Sequence, residues 1–245
     1  MSLRARSVAV VAAGLLILAL VAPVATAAAT YRDCSGRTIE AGADLHRCDL
    51  SGAVIIGLDL HAVDLAQSNL QDVNAGCDPD QPSTNLAAAR LSKADARRAL
   101  LCDANLIDAD LRGADLAGAS LEDAALSSAN ASSITLDGAT AAFAQFQDVR
   151  LVGASLRGFY ANSATFDGAD LRRADATDAF FGEVTFIDAD LGSTKLGGVD
   201  FSRADLTRAN LRRATGLDTA IWSNTTCPDG TNSDTAGGTC LGHLG

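Results

Sequence analysis

An all-β solenoid of square coils is the fold the sequence predicts, and three observations predict it. A Leu or Phe recurs every fifth residue from about Ala43 to Ser223, and the residue two places before it is nearly always Ala. The period of 5.0 fits neither a helix, with 3.6 residues per turn, nor a strand, with its alternation of two. In the longer block the 28 beat positions run from Leu86 to Ile221; 21 are Leu or Phe, and 20 of the positions two before them are Ala. If five residues form one side of a square, both apolar positions point inward, as alternate residues of an extended segment do. Four sides then close one coil, and coils stack at about 4.8 Å through backbone hydrogen bonds.

The elements follow in chain order. Residues 1–29 carry Arg4 and Arg6, an apolar run from Val8 to Ala22, then Pro23 and small residues ending Ala27-Ala28-Ala29. That order of charged, apolar and small segments predicts a signal peptide cut after Ala27 or Ala29, with an uncleaved anchor as the alternative. Residues 30–42 are expected to cap the first coil. Residues 43–75 form the first block of repeats, with beats at Leu45, Leu50, Ile55, Leu60, Leu65, Leu70 and Ala75. The turn-forming stretch 76–83, with Pro79 and Pro82, breaks the register by one residue and reads as a loop bulging from the wall. Residues 84–223 form the second block, near whose end Trp222 is expected to lie over the last coil, and 224–245 form a Cys-bounded tail.

Units such as Ala109-Asp110-Leu111-Arg112-Gly113 and Ala114-Asp115-Leu116-Ala117-Gly118 resemble the pentapeptide-repeat family, whose repeat is written A(D/N)LXX. The resemblance implies a right-handed quadrilateral β-helix, here of about nine coils. Positions 20 apart then share an interior column, so Phe146, Phe166 and Phe186 should stack on consecutive coils, and Phe181 should lie beside Phe201.

All six cysteines, Cys34, Cys48, Cys77, Cys102, Cys227 and Cys240, follow the leader, and an even number in an exported chain argues for disulfides. Fifteen connectivities are open to six cysteines. Proximity along the chain and the coil geometry favour Cys34 with Cys48, Cys77 with Cys102, and Cys227 with Cys240, Cys102 facing outward just after a beat.

The sequence offers little for catalysis. His46, His61 and His243 do not fall together, and no phosphate loop, nucleophile elbow or dinucleotide fingerprint is present. Asp95 with Asp115, and Asp170 with Asp190, stand one coil apart; carboxylates so placed could bind calcium or share a proton, but the repeat itself already explains them. Asp229, Asn232 and Asp234 around Gly230 resemble a calcium loop but lack EF-hand spacing. Arg172, Arg173, Arg212 and Arg213 gather on one side two coils apart, alternating with aspartates as in a solvated charge ladder. More unusual are Tyr160 and Phe180, which stand just before beats where the repeat places a solvent-facing Asp or Asn. With Phe159, in a position that is usually Ala, they form a candidate interaction patch; local stacking of the rings with no partner is the alternative.

The net charge of −11 becomes −13 once Arg4 and Arg6 leave with the leader. Such a surface disfavours nucleic acid and acidic membranes. The reading is therefore a secreted, non-enzymatic scaffold with no cofactor or metal, found outside the cell or in its envelope. It is not inserted in a membrane after signal cleavage, and its partner is a protein or cell surface of unknown identity. Family resemblance supplies the alternative, an acidic DNA mimic that binds DNA gyrase, which a signal peptide disfavours.

Overall fold

The computed structural model describes residues 37–78 and 80–244, all within one compact unit, Tyr31–Gly245. The leader and Cys34 lie outside the described residues. The backbone pairs in parallel, residue by residue, with the chain 20 positions away: Asn105 with Ala125, Asp110 with Asn130, Asp115 with Thr135, Ser120 with Thr140. These four series define four walls. Wall I carries Asn85, Asn105 and Thr165 before its beats; wall II Arg90, Asp110 and Asp170; wall III Asp95, Asp115 and Asp175; wall IV Leu100, Ser120 and Tyr160.

Backbone chemistry explains why five residues suffice for a side. In the unit around Leu111, the amide of Asp110 donates back to Ala89 O at 2.9 Å, and that of Leu111 forward to Asn130 O at 2.8 Å. Gly113 N donates forward to Ser132 O at 3.0 Å, and Ala114 N closes the corner on Leu111 O at 3.0 Å. The remaining amide, Arg112 N, donates to the Asp110 side-chain Oδ1 at 3.2 Å. All five donors are thereby satisfied. The Asp or Asn before the beat is thus a backbone acceptor as well as a solvent-facing charge, and it forms an Asx-type turn. The same bond recurs from His46 N to Asp44 through Thr207 N to Asp205. The second residue after each beat turns the corner with φ near +60°, as at Asp108 (59°), Gly138 (63°) and Phe143 (61°). Among the described residues no β-branched residue occupies such a corner, in keeping with the steric cost of the left-handed conformation.

The lumen is filled by the beat residues and the alanines, nearly all buried. Its first half is lined by Leu, and in its second half rings join the leucines. Phe146 and Phe166 stack 4.5 Å apart at 5°, and Phe166 and Phe186 5.1 Å apart at 27°. A second stack joins Phe181, Phe201 and Trp222, and the two meet edge to face, Phe166 lying 5.8 Å from Phe181 at 69°. Hydroxyls in the Ala position are buried but bonded: Thr194 donates to Leu171 O at 2.9 Å and Ser68 to Leu45 O at 2.7 Å.

Three features differ from the sequence reading. Across the loop, Asp59 pairs with Asn85 and Asn74 with Leu100, an offset of 26, so the loop adds six residues to the 20 of a regular coil and no side is lost. Secondly, the register slips by one near Gly216, whose position against the Gly197 backbone leaves no room for a Cβ. Asp200 pairs with Ile221, so Ile221 faces solvent and Trp222 takes the beat, stacking on Phe201 at 5.3 Å. The wall continues to Cys227, which is fully buried. Finally, Phe159 belongs to the lumen and not to a surface patch, being 0 % exposed and edge-on to Phe146 at 6.1 Å. Ala141 and Ala161 occupy beats of wall IV, and the Phe159 ring supplies the volume they omit.

Truncating Phe166 to Ala removes a ring that touches three others, Phe146, Phe181 and Phe186. The expected loss in denaturant unfolding is about 3–5 kcal/mol, because the stacked neighbours cannot collapse into the gap.

Candidate interaction face

The walls share one backbone and differ in what they show to solvent. Walls II and III carry charge ladders. Arg172 forks onto Asp170 with bonds of 2.8 and 2.7 Å and reaches Asp190 at 3.6 Å; Arg97 does the same between Asp95 at 2.8 Å and Asp115 at 3.8 Å. The Arg172 side chain holds the Asp170 carboxyl below its ordinary range, and Arg97 does so for Asp95. A dyad sharing one proton would raise a carboxyl instead, so these pairs are rungs of a ladder. Arg172, Arg173, Arg212 and Arg213 border a shallow open groove with Gly192 and Ser193 between them.

The tail is a closed cap. Cys227 is joined to Cys240, Thr225 donates to Phe201 O at 2.7 Å, and Ser233 donates to Trp222 O. Its acidic residues are engaged: Asp229 accepts from Thr231 N at 2.9 Å and lies 2.7 Å from His243 Nδ1, while Asp234 accepts from Asn224 N at 2.8 Å. Bonds from Thr231, with His243 adding to them, bring Asp229 down to about 2. His46 and His61 stand on walls II and I.

Cys77 is joined to Cys102, with Cα atoms 4.7 Å apart, which ties the inserted loop to the corner of wall IV. Cys102 points away from the lumen yet is buried, because the loop covers it. Glu122 lies beside the pair, but sulfurs spent in a disulfide are not metal ligands. Cys48 is buried, and its expected partner Cys34 is outside the described residues.

Wall IV is different. Its rungs read Val54, Asn74, Leu100, Ser120, Thr140, Tyr160, Phe180, Asp200 and Ile221. Eight large apolar side chains are exposed among the described residues, and wall IV with its corner holds six of them, including Tyr160 at 42 %, Phe180 at 49 % and the corner residue Phe143 at 59 %. The Tyr160 and Phe180 rings lie 6.0 Å apart, tilted at 45°. Replacing Asp by Tyr or Phe also forfeits the Asx bond: among the described residues no acceptor serves the amides of Asn162 or Gly182. Leu100 shares the column of Tyr160 and Phe180, as the 20-residue spacing predicts; sequence reasoning missed Phe143 as a member of the strip, for which the signal was a Phe at a corner position.

Pentapeptide repeats, described as eight copies, match residues 41–74, 84–123, 119–158, 160–192 and 186–215. The chain belongs to the pentapeptide-repeat family. Among solved structures it is similar to HetL, a pentapeptide repeat protein involved in heterocyst differentiation regulation in the cyanobacterium Nostoc, at 29 % identity and a TM-score of 0.60, covering 77 % of this chain and 91 % of that one. It is similar at 13 % identity and a TM-score of 0.48 to QnrB1, a plasmid-mediated fluoroquinolone resistance protein, over 76 % of this chain and 87 % of that one. No curated protein matches the chain by sequence. Family membership implies that this pentapeptide-repeat solenoid winds as a right-handed β-helix.

Acid should unfold this pentapeptide-repeat protein through its carboxylates. Asp110, Asp170 and Asp229 have native values below their unfolded ones, so their contribution is complete above about pH 4 and is lost as pH falls through the native values. The melting temperature should hold down to about pH 5 and fall between about pH 4 and 2. Asp110→Asn with Asp170→Asn keeps the amide acceptors but not the charges, and should flatten that fall.

Proposed function

We propose that the protein is an exported, non-enzymatic scaffold of about nine coils that docks a protein or cell-surface partner through wall IV. The observation that carries this reading is the concentration of exposed apolar side chains on one wall of an otherwise largely polar and charged rod. Exposed apolar surface gathered on one face marks an interaction site, whereas scattered apolar residues do not. The leader-like composition of residues 1–29 supports export, and disulfides at Cys77–Cys102 and Cys227–Cys240 are compatible with an oxidising compartment. The ion-pair ladders of walls II and III support a scaffold in place of an enzyme, since their carboxyls are held ionised by arginine rather than poised for proton transfer.

Two measurements test this. The protein recovered from the producing cells should lie outside the cytoplasm and begin at Ala28 or Thr30; an intact Met1 form in the cytoplasm contradicts export. Affinity capture at the native cell surface should lose at least ~90 % of its bound partner in the Tyr160→Asp, Phe180→Asp double variant, the loss of about 1.4 kcal/mol or more. Equal capture by both forms would remove wall IV as the docking face.

A further inference from the structure

We propose that wall IV pairs with wall IV of a second copy of this chain, the two rods lying antiparallel about a two-fold axis at the coil of Thr140 and Phe143. The inference rests on the reading of wall IV as a docking face and supplies its partner. Along the rod the rungs run Asn74, Leu100, Ser120, Thr140, Tyr160, Phe180 and Asp200. Reversed onto itself about Thr140, this order sets Leu100 against Phe180, the small Ser120 against Tyr160, Asn74 against Asp200, and Thr140 against its own copy. Apolar meets apolar, polar meets polar, and the largest ring faces the smallest rung.

Symmetry adds a second, independent match. A two-fold axis lying in the contact plane and perpendicular to the rods reverses the order of coils but keeps each edge of the wall on its own side, as a self-complementary interface requires. Phe143, at the corner of the Thr140 coil, therefore meets Phe143 of the second copy. That explains a ring held at φ 61° and 59 % exposed, with no ring contact of its own among the described residues. Moving the axis one coil either way would instead set Phe143 over Asp103 or Glu183.

Charge is compatible with the same face. In a chain of net charge −11, the seven rungs include a single charged group, Asp200, so two acidic rods repel less through this wall than through the charge ladders of walls II and III. At the corner Asp103 comes opposite Glu183, which is already held by Arg203, so that arginine serves both carboxylates. Seven rungs span about 30 Å, a strip at the small end of specific interfaces, and the association belongs in the micromolar range.

The test uses the chain as its own host produces it. Thr140→Cys places a thiol on the axis, and Thr135→Cys places one at the equivalent rung of wall III in the same coil. Under mild oxidation Thr140→Cys should give a covalent dimer at least ten times faster than Thr135→Cys. Sedimentation of the unmodified chain should show a dimer that tightens as salt rises, because like charges are screened. Phe143→Gly should weaken that dimer at least tenfold while raising the melting temperature, since glycine relieves the left-handed corner. Equal cross-linking of the two cysteine variants, or a monomer at every concentration up to ~100 µM, well above the expected dissociation constant, would overturn the second copy as partner. Loss of surface capture in the Tyr160 and Phe180 variant would then still uphold wall IV as a docking face for another protein. Failure of both measurements would remove that face altogether.

Discussion

The pairing of each backbone segment with the one 20 residues away is the constraint from which the rest of the molecule follows. Three of the five amides in a unit donate to neighbouring coils, one closes its own corner, and one depends on the Asp or Asn before the beat. A side of five residues is short enough that only one side chain can fill the lumen at its centre. This is why Leu and Phe hold the beat, why Ala holds the crowded position before it, and why Thr or Ser appears there only with its hydroxyl bonded to a carbonyl.

The period made the wall legible before any coordinates, because a residue that must point inward every fifth position leaves an unmistakable mark on composition. What the period could not express were departures from it. The inserted loop could be read as ten residues plus one or as five plus six, and only the pairing of Asp59 with Asn85 separates these. The slip at Gly216 is equally hidden, since Ile221 kept the beat in sequence while Trp222 kept it in space. Phe159 illustrates a third limit. Its ring is accommodated because Ala141 and Ala161 stand at beats nearby, a compensation across coils that no single repeat reveals.

With the lumen and the ladder fixed, variation is confined to the rung before each beat and the two residues after it. Walls II and III use that freedom for Asp–Arg forks, which give solubility and small increments of stability, exposed ion pairs being worth little individually. Wall IV uses it for Leu100, Tyr160 and Phe180, and forgoes acceptors for the amides that follow Tyr160 and Phe180. Other walls also carry rungs other than Asp or Asn, as at Ala125, Gln145, Arg150 and Thr135, but among the described residues only wall IV sets exposed rings at such rungs. The candidate site was therefore legible as a departure from the repeat, while its extent emerged only when the rungs were aligned in space.

Amide hydrogen exchange tests the ladder most directly. The amides of Leu111 and Phe166 bond forward to Asn130 O and Thr185 O, and should exchange only on global unfolding. Those of Ala142, Asn162 and Gly182 lack an acceptor among the described residues and should exchange roughly a hundredfold faster or more. Equal rates for the two groups would contradict the account at its root.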